Sequence, residues 1–257
     1  GRQRAECGRS DARQFGDHGA NVMFADRDEA RLKDEVGKTV EEDGTARYYA
    51  GDLRERLTQA NLLSATLDAF DRVDILVNAS RQMMVSDPLD PDEDNVAPML
   101  EQNLMTALRL NQLVAKRMIK QAEEDGDEEV PVGALVNLSS IAARQTHAQL
   151  LGYSIASAAL DQMTRSMAVA LAEHRIRVNA VAFGSVMSAS LKDVLKDNKS
   201  LRGEILECTP MSRIAKSSEV ADAVQYLASQ GAGFVTGQII TIDGGRTLLD
   251  PVTEPAH

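Results

Sequence analysis

Two kinds of hydrophobic spacing alternate along the chain. Short runs that are apolar or β-branched at nearly every position fall at 21–25, 75–77, 134–138, 177–182 and 238–242, and longer stretches with helical spacing lie at 99–121, 155–173 and 218–229. A strand that is apolar throughout, with no in-and-out alternation, belongs to a sheet covered on both faces. Strands taken in turn with helices give right-handed βαβ units, hence an α/β fold: a doubly wound parallel sheet with helices on both faces. Two acidic stretches, 87–94 and 123–129, sit between periodic segments and read as solvated loops. No internal repeat is visible, and the 257 residues are expected to form a single domain, 1–257, with 249–257 as a C-terminal tail.

Composition narrows the function classes. Aromatics are only 4% and Trp is absent, so the core rests on aliphatic residues and ten Met. A net charge of -11 argues against nucleic acid and anionic membrane surfaces as partners. Cys7 and Cys208 make no disulfide framework, and His18, His147, His174 and His257 show no ligand spacing, so no metal site is expected. No apolar run approaches the roughly 20 residues that span a bilayer, and no secretory leader is visible; a cytoplasmic protein is the expectation.

A series of short motifs carries the chemistry. In order they are Gly19-Ala20-Asn21-Val22 running into Ala25-Asp26, then Asp52-Leu53, then Asp74-Ile75-Leu76-Val77-Asn78-Ala79. Gln102-Asn103-Leu104, Val136-Asn137-Leu138-Ser139-Ser140 and Tyr153-Ser154 follow. The last are Arg177-Val178-Asn179-Ala180-Val181-Ala182 and Thr236-Gly237-Gln238 running into Asp243-Gly244-Gly245. On these motifs the chain resembles the short-chain dehydrogenase/reductase family from about residue 12 to residue 248. The resemblance implies a Rossmann-like fold and hydride exchange between a nicotinamide cofactor and a secondary alcohol or ketone. It also implies a catalytic Tyr, a Ser that holds the same substrate oxygen, and an Asn that breaks the preceding helix and supports a proton-relay water. Tyr153, Ser140 and Asn103 match these three.

The family's Lys, four residues beyond the Tyr, does not match: Ser157 stands there in an ungapped segment. A tyrosine ionises near pH 10, so about one molecule in a thousand is tyrosinate at neutrality; a nearby ammonium shifts that balance by its charge, and a neutral hydroxyl does not. The phosphate loop departs as well. Its pattern falls on Gly1–Gly8 and keeps only Gly8, with Arg2 and Glu6 in place of the other two glycines that let backbone N–H groups approach pyrophosphate. Arg81 replaces the glycine that closes the Asn78-Ala79 motif, and Phe183-Gly184 replaces a Pro-Gly near the nicotinamide. Asp26 would select NAD over NADP through the ribose hydroxyls, Asp52 would bond adenine, and Asn78 would line the cofactor; each also has a plain reading as a strand-end or helix-start residue. Met83 and Met84 fall where the family places substrate-facing residues, with rim packing as the ordinary alternative.

Taken together the departures predict a pseudoenzyme. Ser140, Tyr153 and Asn103 are then remnants, Gly8, Asp26, Asp52 and Asn78 form an empty cofactor site, and no cofactor is expected in this chain. In this reading it assembles as a hetero-oligomer with an active homologue, as in heteromeric hydroxyacyl-CoA dehydrogenases of the 2-[hydroxy(phenyl)methyl]succinyl-CoA dehydrogenase type. The contact is expected through helices 99–121 and 155–173, because a helix apolar beyond one stripe is covered on more than one side. The alternatives are an active, diverged NAD(P)-dependent oxidoreductase, with NAD as its cofactor, and a ligand-binding or regulatory module in the nucleotide cleft. The sheet of such a fold is expected to open with a central strand feeding the phosphate loop, and the motif alignment puts that strand before Gly1.

Overall fold

The computed structural model describes residue 15 and residues 19–43, 46–126 and 131–250. The loop assigned to Arg2, Glu6 and Gly8 lies outside these, as do 127–129 of the second acidic stretch and the tail from 251 onward. Within the described residues the chain is a parallel α/β structure, as its spacing predicts. The strands are β1 (Val22–Asp26), β2 (Ala46–Ala50), β3 (Ile75–Asn78), β4 (Gly133–Ser140), β5 (Ile176–Phe183) and β6 (Ile239–Ile242). The longer helices are α1 (Glu29–Asp43), α2 (Arg56–Phe70), α4 (Thr106–Asp125), α5 (Leu151–Ala172) and α8 (Ser217–Ala228). Shorter ones are α3 (Val96–Leu100), α6 (Ala189–Asp197) and α7 (Lys199–Glu207).

Strands β3, β4, β5 and β6 pair in that order, all parallel, with β4 and β5 in register over eight residues from Gly133↔Ile176 to Ser140↔Phe183. Every residue of β4 after Gly133 is buried, as a strand covered on both faces must be. Leu135, Val178, Ala168, Leu171 and Met118 form one core cluster, in which α4 and α5 cover one face. On the other face α8 packs Val220, Val224 and Leu227 against Val136, Leu138 and Val181. Strands β1 and β2 make a separate parallel pair, closed by Phe24, Leu32, Val36 and Ala46. The edges of β1 and β3 face each other unpaired, with Phe24 and Asp26 on one side and Leu76 and Asn78 on the other.

Two elements differ from the sequence expectation. Strand β2 is absent from it, since Ala46–Ala50 is a short half-exposed stretch beside an acidic helix end. The single helix expected over 99–121 is broken: α3 ends at Leu100, one π-helical turn spans Glu101–Met105, and α4 begins at Thr106. The Glu101 carbonyl accepts the Thr106 backbone N–H, five residues on, as a π turn requires, and the Thr106 hydroxyl donates to the same oxygen at 3.0 Å. No helix of the described residues is long and apolar enough to cross a membrane.

Candidate active site

In a parallel sheet, ligands meet the carboxyl ends of the strands, because the loops there gather residues from several βα units. At that end of this sheet stand Asn78, Ser140 and Phe183, the last residues of β3, β4 and β5. Tyr153 comes to the same place from the first turn of α5. Its ring is buried, 5% exposed, and packs with Ala142, Ala156 and Met99. Gly152 permits this approach: a Cβ there would lie 2.5 Å from the Asn95 carbonyl oxygen, so a side chain would push α5 away from α3.

Ser140 ends β4 and caps the short turn that follows, its Oγ accepting from the Ala142 N–H at 3.2 Å. The hydroxyl proton is left to donate, and Ala142, two residues on, touches the Tyr153 cluster. Ser157 sits buried one turn along α5 with its Oγ donating to the Tyr153 carbonyl at 2.8 Å. That bond returns the hydroxyl to its own helix and gives the phenol no charge.

A charge reaches the phenol from another position. Arg81, in the loop after β3, donates from Nη1 to the Tyr153 hydroxyl oxygen at 2.7 Å. Its guanidinium lies over the Phe183 ring, 4.0 Å from the centroid, within the range of a cation–π contact. The loop is pinned immediately beyond Arg81. Asn103, in the π-helical turn, accepts from the Gln82 N–H and donates to the Gln82 carbonyl, both at 2.7 Å. The Asn103 side chain therefore anchors the Arg81 loop, and the helix break falls where the resemblance places it.

The residues assigned to the nucleotide are divided. Asp26 ends β1, and its Oδ1 accepts from the Asp28 N–H at 3.0 Å, an ordinary strand-end turn that uses one of its oxygens. Asp52 is committed to Arg54, whose Nε donates to its carboxylate at 2.9 Å; this hydrogen bond holds its carboxyl down to about 2. The Asn78 amide is turned into the core, donating to Asn111 Oδ1 at 2.8 Å and Asn137 Oδ1 at 2.9 Å. Asn137 in turn donates to the Thr164 hydroxyl at 3.0 Å, so three amides and a threonine tie β3 and β4 to α4 and α5. Asn78 and Asp52 thus have structural work of their own. Met83 is exposed and Met84 packs on the Tyr153 cluster. Among the described residues no group of His, Cys, Asp and Glu could hold a metal ion.

Comparison with known proteins gives one consistent result. Residues 5–247 match the family model described as Enoyl-(Acyl carrier protein) reductase. An uncharacterized oxidoreductase from Thermotoga maritima is 31% identical over 245 residues, covering 94% of this chain and 93% of the relative. The 7alpha-hydroxysteroid dehydrogenase of Escherichia coli K12 is 28% identical over 241 residues, 94% of this chain and 90% of the relative. Among solved structures, a putative short-chain dehydrogenase/reductase from Burkholderia xenovorans superposes with a TM-score of 0.85 at 30% identity, covering 95% of this chain and 91% of the other. A 7 alpha-hydroxysteroid dehydrogenase complexed with NADH and 7-oxo glycochenodeoxycholic acid superposes with a TM-score of 0.82 at 28% identity, over 95% and 92%. The fold, the ordered motifs and these matches make the chain a member of the short-chain dehydrogenase/reductase family of NAD(P)-dependent oxidoreductases.

Proposed function

We propose that the chain is an active but diverged NAD-dependent oxidoreductase acting on a secondary alcohol or ketone, with Tyr153 as its proton-transfer group. The observation that carries this reading is the Tyr153 hydroxyl held by a cationic donor at the carboxyl ends of β4 and β5. At the adenosine end the residues present fit a nicotinamide dinucleotide: Asp26 offers a carboxylate at the end of β1 that suits the two ribose hydroxyls of NAD and repels the phosphate that NADP carries there. When bound, that cofactor supplies or accepts the hydride.

The chain's own residues supply the rest. Tyr153 gives a proton to a carbonyl oxygen in reduction and takes it back in oxidation. Ser140 donates a hydrogen bond to the same oxygen and fixes its position. Asn103 acts at one remove, by fixing the backbone from which Arg81 extends. Calorimetric titration with NAD, NADH and NADPH tests the cofactor half of this reading. Binding of NADH in the micromolar range, tighter than NADPH, is the expected outcome; no heat up to millimolar concentrations of any of the three would overturn it.

A second reading has an observation in its favour. With Ser157 spent on its own helix, the chain would be an impaired subunit working beside an active homologue, as in a heteromeric hydroxyacyl-CoA dehydrogenase. The outer stripe of α5 supports an assembling role: Ile155, Ala158, Val169 and Ala170 face outward, with Val169 81% exposed. In that case NADH binding is lost in the isolated chain and recovered only on mixing with the partner.

A further inference from the structure

We infer that Arg81 is a catalytic residue, which takes over from a new position the cationic role that a lysine on the tyrosine's own helix plays in the family. The inference rests on the oxidoreductase reading above and adds a residue to it. Two departures that look like separate damage in the sequence, Arg for Gly at 81 and Ser for Lys at 157, meet at one atom in the structure. The positive charge absent from α5 arrives at the Tyr153 oxygen from the loop after β3, at 2.7 Å.

Carbonyl reduction adds a hydride at carbon, which the reduced nicotinamide supplies, and a proton at oxygen, which Tyr153 supplies. The Tyr153 O–H bond breaks as the substrate O–H bond forms, and its electron pair stays on the phenol oxygen as phenolate. Solvent protonates that oxygen before the next turnover. A guanidinium that already donates to this oxygen stabilises the charge as it develops, and it remains protonated throughout because arginine does not deprotonate in proteins. The charge is also pre-positioned. The Phe183 ring holds the guanidinium on one side, and Phe183 itself is fixed, 1% exposed at the end of β5. Asn103 holds the next residue, Gln82, by both of its backbone polar groups. A lysine on α5 would reach the phenol on a flexible stem, whereas a planar guanidinium stacked on an aromatic ring loses less freedom per hydrogen bond.

The same geometry explains Phe183. A proline at that position would offer no ring face to the guanidinium, so Arg81, Phe183 and Ser157 act as one set. Restoring lysine alone (Ser157→Lys) would place a second cation beside the first, and no gain in turnover is expected from it.

The test separates charge from structure. Arg81→Met is expected to lower kcat about 10- to 100-fold while the calorimetric affinity for NADH and the melting temperature stay near the parent values. Arg81→Lys is expected to keep most of kcat, and the double variant Arg81→Gly/Ser157→Lys to regain what Arg81→Gly loses. Arg81→Gln, which keeps length and hydrogen bonding without charge, stands in if the methionine variant does not fold. A kcat that stays at the parent value in both neutral variants overturns the inference and leaves the oxidoreductase reading standing. NADH binding with no reduction of any ketone by the parent chain overturns the oxidoreductase reading, and the inference with it.

Discussion

Tyr153 and Asp26 stand on sheets of different depth. Tyr153, Ser140 and Phe183 stand on β4, β5 and α5, where Leu135, Val136, Val178 and Val181 are fully buried. Asp26 ends β1, which pairs only with β2 among the described residues and has Phe24 as its one buried residue. The half exposure of β1 follows from that unpaired edge, so the contrast lies in the sheet order and not in the residues of β1 themselves. The difference teaches that the two roles proposed for this site, proton transfer at Tyr153 and cofactor contact at Asp26, rest on separate core clusters, and a substitution in one cluster tests one role.

The largest expected effects break that contrast directly. Leu135→Ala should cost about 2–5 kcal/mol and lower the single global transition, since Leu135 joins both covering helices to β4. Leu32→Ala removes the same side chain from the smaller cluster and should act on the two-stranded unit first. Hydrogen exchange then separates them: β1 and β2 amides exchange faster in Leu32→Ala while β4 and β5 amides hold. Equal acceleration in both sheets would show that the two units open together.

Next in size is Asn103→Ala, which strips both partners from the Gln82 backbone and should cost about 1–3 kcal/mol. Its sharper consequence is on the chemistry. With the loop freed, kcat should fall while KM for NADH stays near the parent value, whereas a purely structural role would leave both unchanged in the folded fraction.

A smaller effect with the opposite sign is expected at Asp161. Burial in α5 raises its carboxyl above the usual range, and Oδ1 has no hydrogen-bond partner among the described residues. The folded state then binds the proton more tightly than the unfolded one, so this group favours folding at acid pH, and that contribution is lost as pH rises through the raised value. Asp161→Asn should therefore raise Tm at neutral pH and gain little below pH about 4. A lower Tm at neutrality would mean that the charge itself is used.

The smallest effect is the acid limb of stability. Hydrogen bonds from Arg54 to Asp52 and from Arg213 to Glu219 hold both carboxyls down to about 2. Their contributions are present above the ordinary carboxylate range and are lost as pH falls toward about 2. Both pairs are exposed, so added salt should shrink this limb, and Glu219→Gln should flatten its share.

Much of the fold is legible in the sequence because apolar runs and helical spacing report burial directly. Strands β3 to β6 fall where those runs lie, within a residue or two at their ends. Strand β2 escapes because half its residues face solvent and carry no periodic signal. Tyr153, Ser140 and Asn103 are legible through motif spacing, but their partners are not. Arg81 and Tyr153 are 72 residues apart, and a hydrogen bond across that separation exists only once β3 and α5 are packed. Two opposite departures, a cation gained at 81 and a cation lost at 157, were a signal that could have been paired in the sequence. Asn111 gave one too: an amide between Leu110 and Val114 on the buried face of α4 implies a polar partner in the core, and Asn78 and Asn137 are those partners.

The most direct test of the central claim is NADH oxidation by the purified chain against a panel of cyclic and acyclic ketones, with Tyr153→Phe as control. The account predicts measurable turnover with at least one ketone and a loss of about 100-fold or more in the Tyr153→Phe variant. Tight NADH binding without turnover, or turnover that Tyr153→Phe leaves unchanged, would contradict it.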